Sequence, residues 1–386
     1  YSVLPTNGDG DFTFARTSTA TRVNSNGLIE EVGVNKPRLD YSDGACPSLL
    51  LEPQRLQLVQ YSEDTTQWDK NGTPINTSNT TISPNGLQNA DSVIVNSVSE
   101  GFYDFSIGTV QSGTSYTFSI FIKYISGIET IRFGPTGGGF GGDNNNVFNI
   151  KNGTVVSSVS GNTLSVNDYG NGWYRLIATK NASSTATAAW LLYGNENAEI
   201  QCSAWGAQVE QGSYATSYIK NEGTVAGITR AADSATGSGD ATVINSTEGT
   251  LYFEGNAFSS TGSSGLISLN VGTTDLNNRV TIELDGANVK ARFAIGGTSL
   301  GIFNYATDIT QVLKIAVKYK ANDFALWVNG AERVPLTSGN SFSANTLSEL
   351  DFNRGDGQEP FIGNTNDLRV YATALSDEEL ITLTTI

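Results

Sequence analysis

The sequence predicts an all-β protein, with two consecutive β-sandwiches behind an extended N-terminal segment. Three observations predict it. Turn-forming residues are abundant, with 42 glycines alongside many Ser, Thr and Asn, and Gly, Asn and Asp accept the positive-φ conformations of tight turns. Between those turns run short stretches of alternating apolar and polar residues, the period of a half-buried strand. Hydrophobic residues make up 38% and aromatics 10% of 386 residues, enough for proper cores and more chain than one core organises.

Residues 1–61 carry no repeated apolar face. They offer short extended pieces around Asn26-Gly27, Pro37-Arg38-Leu39-Asp40-Tyr41 and Ser48-Leu49-Leu50-Leu51-Glu52-Pro53. Phe12, Phe14, Val23, Leu28, Ile29, Val32, Leu39 and the leucine run must then be buried against the next domain or a partner chain. The segment reads as an adaptor or oligomerisation element.

Residues 62–230 read as the first sandwich. Ser115-Tyr116-Thr117-Phe118-Ser119-Ile120 alternates and then runs on apolar to Ile122, as an inner strand does. Phe102–Ile107, Thr130–Phe133, Val147–Ile150, Gly172–Thr179, Ala188–Tyr193 and Ile200–Val209 are further strand candidates, punctuated by turns such as Asn152-Gly153 and Gly170-Asn171-Gly172. Residues 231–246, opening Ala231-Ala232-Asp233-Ser234-Ala235-Thr236-Gly237, read as a linker by composition. Residues 247–386 read as the second sandwich, with hairpin turns at Asp285-Gly286 and Asn329-Gly330. Ser376-Asp377-Glu378-Glu379 is a capping box that announces a short terminal helix.

Composition closes several functions. With no histidine and two cysteines, Ser/His/Asp and Cys/His catalysis and zinc sites are excluded. Glu349-Leu350-Asp351 comes nearest to a glycosidase acid arrangement but lacks a third acid at the expected spacing, and reads as an exposed acidic turn. The chain is therefore expected not to be an enzyme. A net charge of −16 with no Lys/Arg cluster argues against a nucleic-acid partner, and no apolar stretch approaches the roughly 20 residues of a membrane helix. Cys46 and Cys202 read as isolated thiols buried as small hydrophobes, a long-range disulfide being left open.

Sugar recognition uses flat aromatic faces with amide and carboxylate hydrogen bonds. Trp173, Trp190, Trp205 and Trp327 lie in apolar strands and read as core. Trp68, in a polar segment with Tyr61 and Gln67, is the candidate glycan contact. Asp143 and Asn145 offer oxygen ligands of the kind Ca²⁺ takes, without the spacing of a known loop. Arg354-Gly355-Asp356 spells an integrin-type tripeptide that a Gly- and Asp-rich chain produces by chance.

Phe361-Ile362-Gly363-Asn364 followed by Asp367-Leu368-Arg369-Val370-Tyr371 and Ser376-Asp377-Glu378-Glu379, with the Leu326-Trp327-Val328-Asn329-Gly330 hairpin, resembles a laminin-G-like or concanavalin A-like sandwich. That resemblance implies calcium or glycan contacts at Asn364 and Asp367. Phe14-Ala15-Arg16-Thr17-Ser18-Thr19-Ala20-Thr21-Arg22-Val23-Asn24, Pro37-Arg38-Leu39-Asp40-Tyr41 and Leu50-Leu51-Glu52-Pro53-Gln54 resemble a leader of bacteriophage tail-fibre, tail-spike and head-fibre proteins. Gly170-Asn171-Gly172-Trp173-Tyr174-Arg175 and the run from Trp205 to Ile219 are similar to parts of the same proteins, the latter to the closing strand of a carbohydrate-binding-module-like jelly roll. The resemblance implies a virion protein outside the cell that binds host-surface or environmental glycans. It also implies a homotrimer, joined to other virion proteins through the N-terminal segment. A secreted bacterial array of carbohydrate-binding modules, an accessory region of a polysaccharide-active enzyme and a purely architectural virion protein stay open.

Overall fold

The computed structural model describes residues 12–105, 107–142 and 145–386. The chain is nearly all β and divides into two compact units, both discontinuous in sequence. The central unit takes Ser18–Val32 and Gln54–Ala231; the C-terminal unit takes the stretch up to Thr17, Gly33–Pro53 and Ala232–Ile386.

The central unit is a sandwich of two antiparallel sheets. One runs in the order Asn162–Asp168, Trp173–Asn181, Ser115–Gly127, Ile200–Gln211, Gln88–Val95, Ile75–Ile82. The other runs Thr154–Ser157, Val147–Asn149, Thr130–Gly137, Ala186–Gly194, Gly101–Asp104, Asp69–Asn71, with Thr109–Val110 also against Ala186–Gly194. Period-two alternation sends Phe118, Ile120 and Ile122 from the first sheet, and Phe102, Phe133, Trp190 and Leu192 from the second, into one core.

The first sheet buries its other face too. Phe121, Trp173 and Trp205 form a second apolar cluster there with Ile29 and Tyr218. Ile29 comes from the hairpin of Ala20–Val23 and Ile29–Val32, and Tyr218 from the chain leaving Ile200–Gln211. That exit is pinned by polar groups of the sheet. Arg175 Nη1 donates to the Thr216 carbonyl (2.7 Å), Thr216 N–H donates to Glu210 (2.8 Å), and Ile219 N–H donates to Gln208 Oε1 (2.8 Å). Asn171 and Gly172, at φ of 52° and 77°, supply the two positive-φ residues of the turn that delivers Trp173.

The C-terminal unit pairs a seven-stranded sheet (Ala331–Leu336, Phe324–Val328, Leu313–Lys320, Glu248–Ala257, Gly363–Tyr371, Ser48–Leu51, Leu39–Asp40) with a five-stranded one (Thr298–Ala306, Asn288–Ile295, Arg279–Asp285, Ser263–Asn270, Glu349–Asp351). Phe253, Ile315 and Leu326 meet Ile267, Val280 and Phe293 in its core. The terminal helix Asp377–Thr384 begins with the expected capping box and lays Leu380 on Tyr252 and Trp327.

The N-terminal segment is not a separate adaptor. Ser48–Leu51 is an inner strand of the seven-stranded sheet, pairing Leu51 with Gly363 and Leu49 with Leu39. Phe12, Leu49 and Leu51 enter the C-terminal core, and Ile29 the central unit. Of the apolar residues that pointed to a trimer, Phe12, Val23, Ile29 and Leu49 to Leu51 are buried by their own chain and Phe14, Leu28, Val32 and Leu39 are half-buried, which weakens the physical reason for requiring further copies. Nor are residues 231–246 a free linker. Ser234–Thr236 pairs antiparallel with Thr13–Ala15, and Ala235 and Ile244 are core residues.

The same segments meet in a buried ion network within the C-terminal unit. Asp233 Oδ1 accepts from Arg16 Nη1 (2.9 Å), Asp233 Oδ2 pairs with Arg38, and Arg38 Nη1 donates to Glu52 Oε2 (2.7 Å). The two acids are also tied through the backbone, Glu52 N–H to Asp233 Oδ2 and Asp233 N–H to the Glu52 carbonyl, each 2.9 Å. Arg16 reaches the carbonyls of Gly33 (2.7 Å) and Lys36 (3.1 Å). Burial alone would lower the Arg38 pKa, but Glu52 and Asp233 outweigh it and raise it. Two cations balance two anions, the condition under which buried charge is tolerated.

Cys46 and Cys202 are both free. Cys46 is exposed rather than buried as read from sequence, whereas Cys202 lies in the central core and burial pushes its thiol up to about 12.

Two outcomes follow. Arg38→Met leaves Asp233 and Glu52 buried and short of a cation, and should lower stability in urea unfolding by about 3–5 kcal/mol. At pH 8, a thiol reagent should modify Cys46 promptly and reach Cys202 only on unfolding, because a buried thiol with so high a pKa holds almost no thiolate.

Candidate functional site

The outer face of the central unit's seven-stranded sheet gathers two half-buried tyrosine rings and one exposed phenylalanine. Along Gly101–Asp104, Phe102 points into the core and Tyr103 to the opposite side; along Ala186–Gly194, Leu192 is inside and Tyr193 outside. The register places Gly101 between Asn71 and Tyr193, and Tyr193 in turn opposite Arg132. Tyr103 lies opposite Asp69 on one side and Leu191 on the other. Just beyond the strand end, Phe105 is 49% exposed, its ring edge-to-face with Tyr103 at 5.4 Å between centroids.

Gly101 is what lets these rings settle. A Cβ there would stand 2.6 Å from Tyr193 Cδ1 and 2.3 Å from the Leu192 carbonyl, so the Tyr193 ring lies across bare backbone where any side chain would displace it. Arg132 fixes the far side. Its Nε donates to the Gly194 carbonyl (2.8 Å), it also bonds the Val98 carbonyl, and its guanidinium sits over the Tyr193 ring at 5.7 Å. Burial, then the neighbouring Tyr103, raises the Tyr193 pKa, with Asn71 and Arg132 opposing. Tyr193 therefore keeps its hydroxyl proton as a donor. The resulting surface has apolar ring faces bordered by a carboxylate (Asp69), an amide (Asn71) and a phenol, the pairing of an apolar body with convergent polar groups that binding sites use.

The residues singled out from sequence lie elsewhere. Trp68 is only 3% exposed, against the expectation of a stacking surface. Its indole N–H donates to the Tyr61 carbonyl (2.8 Å) and its ring stands edge-on to Trp190 at 4.6 Å. It is a core residue because the first short strand, Asp69–Asn71, folds it inward beside Phe102. The other four tryptophans are buried as expected.

Asn364 and Asp367 belong to the other unit and do not form a joint contact surface. Asn364 is buried between Asn256 and Leu50 in the seven-stranded sheet and donates to Asp43 (3.2 Å). Asp367 faces Glu254 across the same sheet and is held by Arg369 (2.5 Å). Asp143 lies outside the described residues. Asn145 turns its Oδ1 to Arg132 Nη1 (3.3 Å), which engages the oxygen offered to calcium with a cation of the chain itself. Among the described residues no group of three or more acids or thiols is placed to hold a metal, and no helix is long and apolar enough to cross a membrane.

Glu349 and Asp351 share the outer side of Glu349–Asp351, opposite Asn270 and Ser268. Burial, then Asp351, raises the Glu349 pKa. Asp351 is not an exposed turn residue, however. Its two oxygens are taken by Gly237 N–H (2.7 Å) and Asn270 Nδ2 (2.8 Å). Arg354 and Asp356 pair with each other (2.7 Å) and do not present an extended tripeptide.

The aromatic face escaped the sequence reading although both of its strands were recognised. The signal was the alternation Phe102-Tyr103-Asp104-Phe105, which separates one inward ring from two outward ones. Tyr193 joins them only through pairing across the sheet.

Compared with known proteins, the chain matches no family model and no curated protein sequence. Among solved structures it is similar to the carbohydrate-binding module CBM40 of the Ruminococcus gnavus IT-sialidase bound to α2,3-sialyllactose, at 21% identity, over 38% of this chain and 86% of that one, with a TM-score of 0.33. It is also similar to domain 4 of the extracellular arabinanase AbnA from Geobacillus stearothermophilus in complex with arabinotriose (15% identity, 40% and 73% covered, TM-score 0.33). A third is the heptameric SAP-like pentraxin of Limulus polyphemus (13% identity, 36% and 70% covered, TM-score 0.29). These neighbours are carbohydrate-binding modules and lectin-like β-sandwiches, and at such scores they assign no role to any residue of this chain.

Proposed function

We propose that the chain is a non-enzymatic glycan-binding protein that receives a saccharide on the face formed by Tyr103, Phe105 and Tyr193. One observation carries this: every tryptophan is committed to a core, whereas these three rings, two half-buried and one exposed, stand on the outer side of a sheet with Asp69, Asn71 and Arg132 around them. A sugar ring turns its C–H face to such rings while its hydroxyls exchange hydrogen bonds with the rim. The resemblance of the Arg16, Arg38 and Glu52 motifs to phage fibre and spike leaders supports a virion setting. Trimeric assembly and attachment to other virion proteins rest on that resemblance alone. The absence of catalysis is part of the proposal, supported by the way both Asp351 oxygens are spent on Gly237 and Asn270.

A glycan array followed by titration tests the binding. Tyr103→Ala with Tyr193→Ala should abolish saturable binding while leaving the thermal midpoint within a few degrees. Trp68→Ala should instead destabilise by about 3–5 kcal/mol. Retained affinity in the double variant would sink the assignment of this face. Incubation with the bound polysaccharide should release no new reducing ends, and depolymerisation that disappears in Glu349→Gln would overturn the non-enzyme reading. Labelled antibody on intact particles separates a virion protein from a secreted one, and sedimentation equilibrium reads the number of copies.

A further inference from the structure

The aromatic face of the central unit carries a charge at either end, and the two are in different states. Arg132, at one end, is half-buried. Its guanidinium is held by the Gly194 carbonyl (2.8 Å), the Val98 carbonyl and Asn145 Oδ1 (3.3 Å), with the Tyr193 ring across it at 5.7 Å. Asp69, at the other end, stands opposite Tyr103 on the first short strand. Direct cross-strand partners share a face, their side chains about 5 Å apart. Asp69 is exposed, and among the described residues neither a cation nor a hydrogen-bond donor engages its carboxylate.

Its neighbours do not neutralise it. Lys70 alternates to the other side of the strand, where Nζ donates to Asn76 Oδ1 (2.7 Å) and lies 5.9 Å from the Phe102 ring. Glu100, by contrast, is buried and engaged, accepting from the N–H (2.9 Å) and hydroxyl (3.0 Å) of Thr73 and from the Asn96 N–H. The free carboxylate therefore sits beside Tyr103, whose ring meets Phe105 edge-to-face at 5.4 Å, and Phe105 is 49% exposed. Ring and carboxylate can both be reached from solvent. Arg132 lies three strands further along the sheet. At roughly 4.8 Å per strand that is about 14 Å, beyond the screening length of about 8 Å at physiological ionic strength.

We infer that this face selects a sugar carrying a protonated amine, a hexosamine without its N-acetyl group, whose ammonium donates to Asp69 while its C–H face lies on Tyr103 and Phe105. The inference rests on the reading of this face as a saccharide site and names the class of sugar it takes. An ammonium is attracted by the carboxylate and by the negative faces of the neighbouring rings at once. A neutral sugar gains the stacking alone. An acidic sugar meets repulsion from Asp69 and from a chain of net charge −16. A solvent-exposed ion pair with a cation–π contact together give the amine roughly tenfold in affinity.

The test is a titration of the full chain, labelled with ¹⁵N and followed through the backbone amides of Tyr103, Phe105 and Tyr193. The probes are methyl β-D-glucosaminide, its N-acetyl derivative and methyl β-D-glucoside, which differ at one substituent and carry at most one charge. The buffer is held near about pH 6, where an amine is protonated. The amino sugar should give saturable shifts and bind roughly tenfold tighter than the other two. In Asp69→Asn the three sugars should bind alike, whereas Asp69→Glu should keep the preference. Asp69 is exposed and unbonded, so an unchanged thermal midpoint shows that both variants are folded. Equal or weaker binding of the amino sugar overturns the inference, as does the lack of a saturable shift with it. So does a preference that survives Asp69→Asn, or one that survives Tyr103→Ala with Tyr193→Ala and is thus general attraction to an acidic protein. A glycan that binds through both tyrosines without preference for an amine leaves the saccharide reading standing while this inference falls.

Discussion

Arg38 is fully buried between Glu52 and Asp233, with Arg16 on the other oxygen of Asp233, and the C-terminal unit depends on this balance. Three of the four members sit beside a point where the chain passes between units: Arg16 before Thr17, Glu52 before Pro53, Asp233 just after Ala232. A sandwich assembled from three separated stretches must close long loops, which costs conformational entropy that local pairing alone cannot offset. Four charges that are tolerable only together provide a condition that the wrong arrangement of stretches fails. This gives a physical account of why Arg16, Arg38 and Glu52 stand inside conspicuous motifs: they are buried, and none is available to a ligand.

The same division of labour runs through the central unit. Its most conspicuous residues, from Trp173 and Arg175 to the stretch between Trp205 and Ile219, close one sheet face with the chain's own hairpin and exit segment. A sheet face already covered by its own chain cannot receive a ligand. On the opposite sheet Tyr103 and Tyr193 are only half-buried and Phe105 is exposed, so aromatic ring faces stay within reach of a ligand there. In the C-terminal unit the terminal helix covers the seven-stranded sheet over Trp327, and the polar side of the five-stranded sheet is itself buried, Ser268, Asn270, Thr281 and Asp351 bonding within the chain.

Much of the fold was legible because strand period, turn chemistry and capping are local. The Asn171-Gly172 and Asn329-Gly330 turns and the Ser376 cap stand where their residues dictate. Among the strands not recognised, Ile75–Ile82, Asn162–Asp168, Thr298–Ala306 and Ala331–Leu336 lie at sheet edges and are mostly exposed or half-buried, whereas Gln88–Val95 is an inner strand whose buried Asp91 and Ser92 hide its apolar period. With neither face fully buried, such an edge strand shows no clean alternation. Trp68 was misplaced because a polar local context carries no information about a core completed by Phe102 and Trp190 from later strands.

The sequence by itself determined the all-β class, the two sandwiches, most hairpin turns and the absence of histidine chemistry, since composition and short-range pattern suffice for each. Only the tertiary structure decided which residues belong to which unit. Ser48–Leu51 completes a sheet whose neighbouring strand, Gly363–Tyr371, lies at the far end of the chain, and Asp233 ties a stretch whose composition reads as a linker into a buried ion network. Tertiary structure also decided which aromatics keep part of their rings outside, because exposure is set by partners that sequence spacing does not name.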